Sequence, residues 1–502
     1  MIKTPCQLVK HMEQYYAERL AFQYDKEGEV HQVSYQTYIT HAKRFAGWLK
    51  KTFPDMEGKH IGLLAENSYP YMVSFLGILL AKGVAVPLNA EESWDTIRYE
   101  VDFADVTALF TDGEYEKKEP LLKTRYASML WNMEEIAGAL HSGSCLEKGT
   151  EEEETEEEGT EEEMQRLMVI MFTSGTTGRS KGVMMSGKSL FSNLDYAVSQ
   201  CEQLGKQAGT PVLKALLIAS MCHMAGMGAY FAWLSMGNVI NISSSVKYLY
   251  RDLKRMESDY CSTVVPVILK AWYKDLKKGR REKLGSLKTI MCGAATIDPG
   301  MFQEFEKNGI HVVQSYGMTE ICGGGTVNAS SDIRKLKSVG QLGNGCELKI
   351  EQGEICFKSD TMMMGYYKDP KATREAIRDG WFYTGDLGYV DEDGFLYLTG
   401  RKKNLIILSS GENVSPEELE LVLQKNPVIE EVCVKEKGDR ICAEIFCPAS
   451  QKEAVCSYVK EVNRGLPVYK QMTCVEFREE PFPRTASGKI RRKHNGQGSC
   501  EE

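Results

Sequence analysis

Leu167-Met-Val-Ile-Met-Phe-Thr-Ser-Gly-Thr-Thr-Gly-Arg-Ser-Lys-Gly182 passes without interruption from a bare apolar run into a loop of glycines, hydroxyl residues and cations. The first half has the length and composition of a buried strand. In the second half, Thr173 to Gly182 holds three glycines, five hydroxyl residues, Arg179 and Lys181. Glycines let a backbone approach a polyphosphate, amides and hydroxyls donate to its oxygens, and cations offset its charge. The loop is not a Walker A loop. Counting from Gly175, that motif requires glycine at 180, lysine at 181 and Ser/Thr at 182, and the chain has Ser180, Lys181 and Gly182.

On the N-terminal side, helix-like and strand-like pieces alternate. Tyr38 to Lys51 places Ile39, Ala42, Phe45, Ala46 and Leu49 on one helical stripe. Ile61-Gly-Leu-Leu-Ala65 and Gly83-Val-Ala-Val-Pro-Leu88 read as strands, with Met72 to Leu80 helical between them. Such alternation predicts an α/β fold with helix-covered sheets. Ala215 to Val246 contains no Asp, Glu, Lys or Arg, but Gly226, Gly228, Gly237, Asn238 and Asn241 break it. It is expected to be a buried αβ segment rather than a membrane span.

Between these regions, the thirteen positions from Glu151 to Glu163 carry ten glutamates. Like charges at that density repel and bury nothing, which predicts a solvated, disordered loop over 145–164. The run dominates the formal charge of −9 on 502 residues. Without it the remainder is about +1, too little basic field for a nucleic-acid partner. Fifteen cysteines without a C-x-x-C pair fit reduced thiols in a cytoplasmic protein. Met1 to Lys10 has no apolar run and reads as no signal peptide.

Beyond Gly353, short strands and turns predict a β-rich subdomain, and a last α+β segment starts near Arg401. Ser415-Pro-Glu-Glu418 reads as a helix N-terminus, with Ser415 as cap, Pro416 at the first position and Glu418 closing a capping box. The expected organisation is a large N-terminal domain over 1–402, a small mobile C-terminal domain over 403–493 and a frayed tail over 494–502.

Taken whole, Phe172 to Val183 resembles the signature loop of the adenylate-forming (AMP-binding) superfamily, in its acyl- and aryl-CoA ligase branch. Tyr316-Gly-Met-Thr-Glu320, Tyr383-Thr-Gly-Asp-Leu-Gly388, Gly400-Arg-Lys-Lys-Asn-Leu-Ile406 and Pro483-Arg-Thr-Ala-Ser-Gly-Lys-Ile490 follow in the family's order. The resemblance implies activation of a carboxylic acid by ATP to an acyl-adenylate, then transfer to coenzyme A with AMP and pyrophosphate released. It implies ATP, Mg²⁺ and CoA as the small-molecule partners, with no membrane span.

The same resemblance implies the site. Thr173, Ser174, Gly175, Thr176, Thr177, Gly178 and Lys181 would hold the β- and γ-phosphates, with Thr319 at the α-phosphate. Glu320 would hold Mg²⁺, a hard cation that prefers oxygen. Tyr316, with Gly317 after it, would stack on adenine, and Gly293, Ala294 and Ala295 would line its other side. Asp386 would accept the ribose hydroxyls, and Arg401 would reach ribose or α-phosphate. Lys489 would bridge the substrate carboxylate and α-phosphate as a compact point charge on a long stem. Lys403 matches the hinge between two half-reactions, after which Gly411 would let a pantetheine arm pass.

Ser220-Met-Cys-His-Met-Ala-Gly226 stands where the branch carries an aromatic-His-x-x-Gly pattern. His223 and Gly226 match, and Cys222 replaces the aromatic. Amino-acid-activating relatives carry an ammonium-binding aspartate there, so the expected acid lacks an α-amino group. Met224, Met227, Tyr230, Phe231 and Trp233, with Gly323-Gly-Gly325 across the site, could line an apolar pocket, although a Met and aromatic run is more often plain core, so the pocket's size stays open. Fatty, branched and aromatic acids stay open, with fatty-acid metabolism one setting. A carrier protein's phosphopantetheine is the alternative acceptor to CoA.

Overall fold

The computed structural model describes residues 2–142, 160–173, 179–192, 194, 198, 212–264, 266–293, 299–330, 332–343, 345–408, 412–438, 440–484, 490 and 492. These fall into two compact units, 1–347 with 358–380, and 348–357 with 381–502.

The first unit holds the expected helix-covered sheets. One sheet runs in the order Gly365–Tyr366, Lys181–Ser186, Leu167–Thr173, Val84–Leu88, His60–Leu64, Ala108–Thr111, Leu130–Asn132. Its strands from Leu167–Thr173 to Leu130–Asn132 are parallel, and the first three pair antiparallel. Helix Tyr35–Thr52 starts where the Ser34 hydroxyl accepts from Thr37 N–H, and its expected apolar stripe is buried. Helix Tyr69–Leu80, capped by Ser68 with Pro70 in its first turn, is apolar all round. Gly77 is what lets these two helices meet: a Cβ there would lie 2.6 Å from Phe45 Cδ1.

A second sheet of the same unit runs Gly340–Leu342, Gly325–Asn328, His311–Gly317, Thr289–Cys292, Tyr260–Val264, Lys214–Leu217, Val239–Ile242, Leu20–Lys26, Glu29–Ser34. Leu253, Leu269, Trp272, Ile290 and Phe305 fill the core on one face. The uncharged stretch from Ala215 to Val246 supplies strands Lys214–Leu217 and Val239–Ile242 and helix Met224–Ser235. Among the described residues, no helix is long and apolar enough to cross a membrane.

The end of the acidic run departs from the expected loop. Glu161–Gln165 is helical, with the Thr160 hydroxyl accepting from Glu163 N–H. Three glutamates in a first turn suit the positive end of a helix. Glu163 is also paired with Arg166 at 3.0 Å, and Arg166 donates to the carbonyls of Lys82 and Gly83. The rest of the run, 151–159, lies outside the described residues.

In the second unit, the strands Cys346–Glu351, Glu354–Ser359, Trp381–Val390 and Phe395–Arg401 follow in that spatial order. A three-stranded sheet, Glu431–Glu436, Ile441–Phe446 and Met472–Arg478, packs with helices Pro416–Leu423 and Lys452–Arg464 around Leu419, Val432, Ile445 and Val459. Helix Pro416–Leu423 also packs on strand Phe395–Arg401. By compactness Trp381–Arg401 groups with the C-terminal residues. The expected capping box is corrected. Ser415 and Pro416 sit where predicted, but Ser415 Oγ donates to Glu417 and Glu418 pairs with Lys470. Gly400 explains the rerouting: its Cβ would lie 2.3 Å from Ser415 Oγ, so the hydroxyl is packed against the neighbouring strand.

Candidate active site

Strands Leu167–Thr173 and Lys181–Ser186 form a hairpin with Thr173 and Lys181 in register, so the ends of the glycine-rich loop are pinned together. Residues Ser174, Gly175, Thr176, Thr177 and Gly178 lie outside the described residues, as do Ala294, Ala295, Gly411 and Lys489. Lys181 Nζ sits 4.7 Å from the Tyr366 ring centroid. The Tyr366 hydroxyl donates to Glu320 Oε1 at 3.0 Å. Tyr366 thus joins the phosphate-loop cation to the expected Mg²⁺ ligand.

Each member of this chain is positioned by backbone. Tyr366 pairs with Val183, two residues past Lys181, and its N–H donates to Thr373 Oγ1 at 2.9 Å. Glu320 lies in a short turn, Thr319–Ile321, just beyond strand His311–Gly317. Its carbonyl accepts from Met363 N–H at 2.8 Å, which ties Glu320 to the chain that leads into Tyr366. Burial, and then the Glu320 charge, push the Tyr366 phenol well above its ordinary range, so it stays a donor.

Tyr316 ends the preceding strand half-buried, next to Gly317. Gly317, Gly324 and Gly325 are explained by packing of their own turn. A Cβ at Gly317 would lie 2.6 Å from Gly323 O, at Gly324 2.9 Å from Thr361 Oγ1, and at Gly325 2.1 Å from Tyr316 O. Gly323, at φ +74°, would bring a Cβ 3.2 Å from Met224 Cγ, and so sets this turn against the start of helix Met224–Ser235. Gly293 is buried just past strand Thr289–Cys292.

His223 is the N-cap residue of that helix. Its carbonyl accepts from Gly226 and Met227 N–H, at 2.9 and 3.1 Å. Gly226 is required here, since a Cβ would lie 2.4 Å from Ser220 O. The His223 side chain is exposed, and desolvation lowers its pKa, with Glu91 and Glu92 opposing. Asn67, which no motif singles out, holds the approach to His223: Nδ2 donates to Ala219 O at 2.9 Å, and Oδ1 accepts from Met221 N–H at 3.1 Å.

Of the two readings of the Met and aromatic run, the core one describes most of it. Met227, Tyr230, Phe231 and Trp233 are core residues, with Phe231 packed on Phe75 and Phe191 and the Tyr230 hydroxyl bonded to Tyr38. The start of this helix faces Gly323 through Met224. Cys222 is buried, its thiol pushed up to about 12 by desolvation.

In the second unit, Asp386 and Arg401 are register partners, with Arg401 Nε donating to Asp386 Oδ1 at 2.5 Å. The Thr-Gly-Asp turn is built for this. Asp386 N–H donates to Thr384 Oγ1 at 3.0 Å, and Gly385 takes φ +71°. Buried Glu354, a further residue that no motif marks, accepts from Gly385 N–H at 3.0 Å and pairs with Lys402 Nζ at 2.7 Å. Lys403 is exposed in the short turn Lys402–Asn404.

Residues 9–367 match the model of the AMP-binding enzyme family, and 403–497 match that of the AMP-binding enzyme C-terminal domain. The 2-succinylbenzoate–CoA ligase of Bacillus licheniformis is 30% identical over 481 residues, covering 92% of this chain and 94% of the relative. That of Bacillus cytotoxicus is 28% identical over 87% of this chain and 88% of its own. Among solved structures, the O-succinylbenzoate coenzyme A synthetase of Bacillus subtilis with AMP superposes at a TM-score of 0.79, with 26% identity and 98% of both chains covered. The same enzyme with ATP and a magnesium ion gives 0.78, with 27% identity over 97% of this chain and 98% of that one. The chain belongs to the AMP-binding enzyme family, in its acyl- and aryl-CoA ligase branch.

Proposed function

We propose that this ligase activates an aromatic carboxylic acid of the 2-succinylbenzoate kind. The observation that carries the chemistry is the connection of Lys181 to Glu320 through Tyr366, which sets a cation and a carboxylate at one place in the first unit. The substrate class rests on the relatives, which match along nearly the whole chain. An aromatic acid displaces the fatty-acid setting.

The chain is an AMP-forming acid–thiol ligase that uses ATP, Mg²⁺ and CoA. A carboxylate oxygen of the acid attacks the α-phosphorus, the bond to pyrophosphate breaks, and an acyl-adenylate forms. The thiolate of CoA then attacks the acyl carbonyl, and AMP leaves. In the first step Lys181 and Thr173 hold phosphate oxygens, and Thr319 reaches the α-phosphate. Glu320 fits Mg²⁺: Tyr366 fixes one carboxylate oxygen, and the group is a hard donor. Bound there, the ion would neutralise phosphate charge. Tyr316 and Gly293, with Gly317, Ala294 and Ala295, form the adenine site. Asp386 takes the ribose hydroxyls while Arg401 orients it. Lys403 is the hinge between the two half-reactions, and Gly411 admits the pantetheine. Fifteen cysteines without a C-x-x-C pair support a cytoplasmic setting.

Pyrophosphate release tests the substrate. 2-Succinylbenzoate is expected to exceed hexanoate by ~10²-fold in kcat/KM, since an unfilled aryl pocket forfeits several kcal/mol. Norleucine should fall below hexanoate. Hexanoate equal to 2-succinylbenzoate would return the assignment to fatty acids.

Tyr366→Phe tests the connection. Losing one buried hydrogen bond to a charged group is expected to lower pyrophosphate release ~10-fold and to raise the Mg²⁺ needed for half-activity. An unchanged Mg²⁺ requirement would separate Tyr366 from Glu320's role.

A further inference from the structure

Strands Ile441–Phe446 and Met472–Arg478 of the second unit are parallel neighbours, and Cys442 and Cys474 are register partners on them. The register shifts between Ile441 and Cys442, so two residues on one strand match one on the other and both sulfurs are turned toward each other. Their Sγ atoms are 2.7 Å apart. The Cys442 thiol donates to Cys474 Sγ, so the two sulfurs are in direct contact. Directly paired residues on adjacent strands also lie within the Cα separation a disulfide spans.

The surroundings discriminate between two uses of such a pair. Glu476 completes a three-residue group with the two cysteines that is able to hold a metal ion. Glu476, however, is already engaged by Lys437 and by Lys435 at 3.4 Å, and hydrogen bonding from Lys437 lowers its pKa. A closed zinc site needs four ligands, and two thiols with an occupied carboxylate fall short. Lys435 is also the register partner of Cys442 on the other side.

We propose that Cys442 and Cys474 are a peroxide-sensitive dithiol that closes to a disulfide. Cys474 is partly exposed and receives the oxidant, while Cys442 is buried and resolves it. The Cys474 sulfur attacks a peroxide oxygen, forming an S–O bond as the O–O bond breaks, and the departing hydroxide takes up the Cys474 thiol proton and leaves as the first water. The Cys442 sulfur then attacks the sulfenic sulfur. An S–S bond forms, the S–O bond breaks, and the second water carries away the proton. Two thiols lose two electrons, and one hydrogen peroxide becomes two waters. Burial, which pushes the Cys442 thiol up to about 12, protects it from the oxidant and leaves it to react only once its neighbour is oxidised.

The full-length protein is treated with hydrogen peroxide, quenched with an alkylating agent and mapped by peptide mass. The expected result is a cross-linked Cys442–Cys474 peptide lighter by two hydrogens, reopened by dithiothreitol and blocked from alkylation. Cys442→Ser should instead leave Cys474 as a sulfenic or higher acid, and Cys474→Ser should leave Cys442 alkylated. Wild-type mapping stands alone if either variant fails to fold. A sulfinic acid at Cys474 in the wild type without the cross-link would overturn the proposal. Equimolar zinc retained by the reduced wild type and lost in both variants would overturn it in favour of a metal site.

Discussion

Glu320→Gln is expected to lower ATP-dependent acyl-adenylate formation by ~10²–10³-fold, the range seen when one charge-stabilising group is removed from a phosphoryl or acyl transfer. Glutamine keeps the size of the side chain and an oxygen able to accept from Tyr366. What it removes is the negative charge, so the loss reports metal binding rather than packing. The Met363 N–H to Glu320 carbonyl contact is backbone and is untouched. Pyrophosphate release measured against Mg²⁺ concentration separates the possibilities. The half-saturating Mg²⁺ should rise along with the loss in rate, and thermal stability should hold. A rate loss with an unchanged Mg²⁺ requirement would place the metal on another residue.

What the sequence made legible, and what it hid, follows from where each signal resides. The strand into the glycine-rich loop is local: apolar length, then glycines and hydroxyls, and the hairpin Leu167–Thr173 with Lys181–Ser186 bears out the strand. The stripe from Ile39 to Leu49 is also local, and it is buried. Tyr366 meets Glu320 across 46 positions, and Asn67 meets Ala219 across 152. No spacing rule reaches that far. Their nearest signals were a tyrosine directly after Gly365 and a polar pair before the Ser68 cap, both common in ordinary turns. The Met and aromatic helix left pocket and core both open for a different reason. A helix buried on every side has no polar face to orient it, so composition cannot separate pocket from core. The glutamate run misled at its end because charge density was counted without Arg166, which neutralises Glu163 and anchors the helix.

Lys489→Ala is expected to slow acyl-adenylate formation by ~10³-fold or more while leaving thioester formation from supplied acyl-adenylate within ~3-fold of wild type. Lys489 itself lies outside the described residues, but both flanks of its loop are held to the second unit. Arg484 and Ile490 form an antiparallel bridge. Glu431 accepts from Phe482 N–H at 2.7 Å and from Arg484 Nη2 at 2.5 Å. Arg492 Nη2 donates to Glu420 at 2.6 Å, and its Nη1 donates to Val434 O at 3.1 Å. Truncating Lys489 leaves all of these in place, so the loop's stem keeps its geometry and the change is confined to one charge. A long flexible amine is suited to a charge that exists only during adenylation, whereas the second half-reaction turns on the CoA thiolate and needs no such cation. Burst measurements of pyrophosphate, followed by CoA consumption from synthetic acyl-adenylate, read the two steps separately. Equal losses in both would mean that Lys489 supports the fold or binds nucleotide throughout, and the division of labour between the half-reactions would then rest elsewhere.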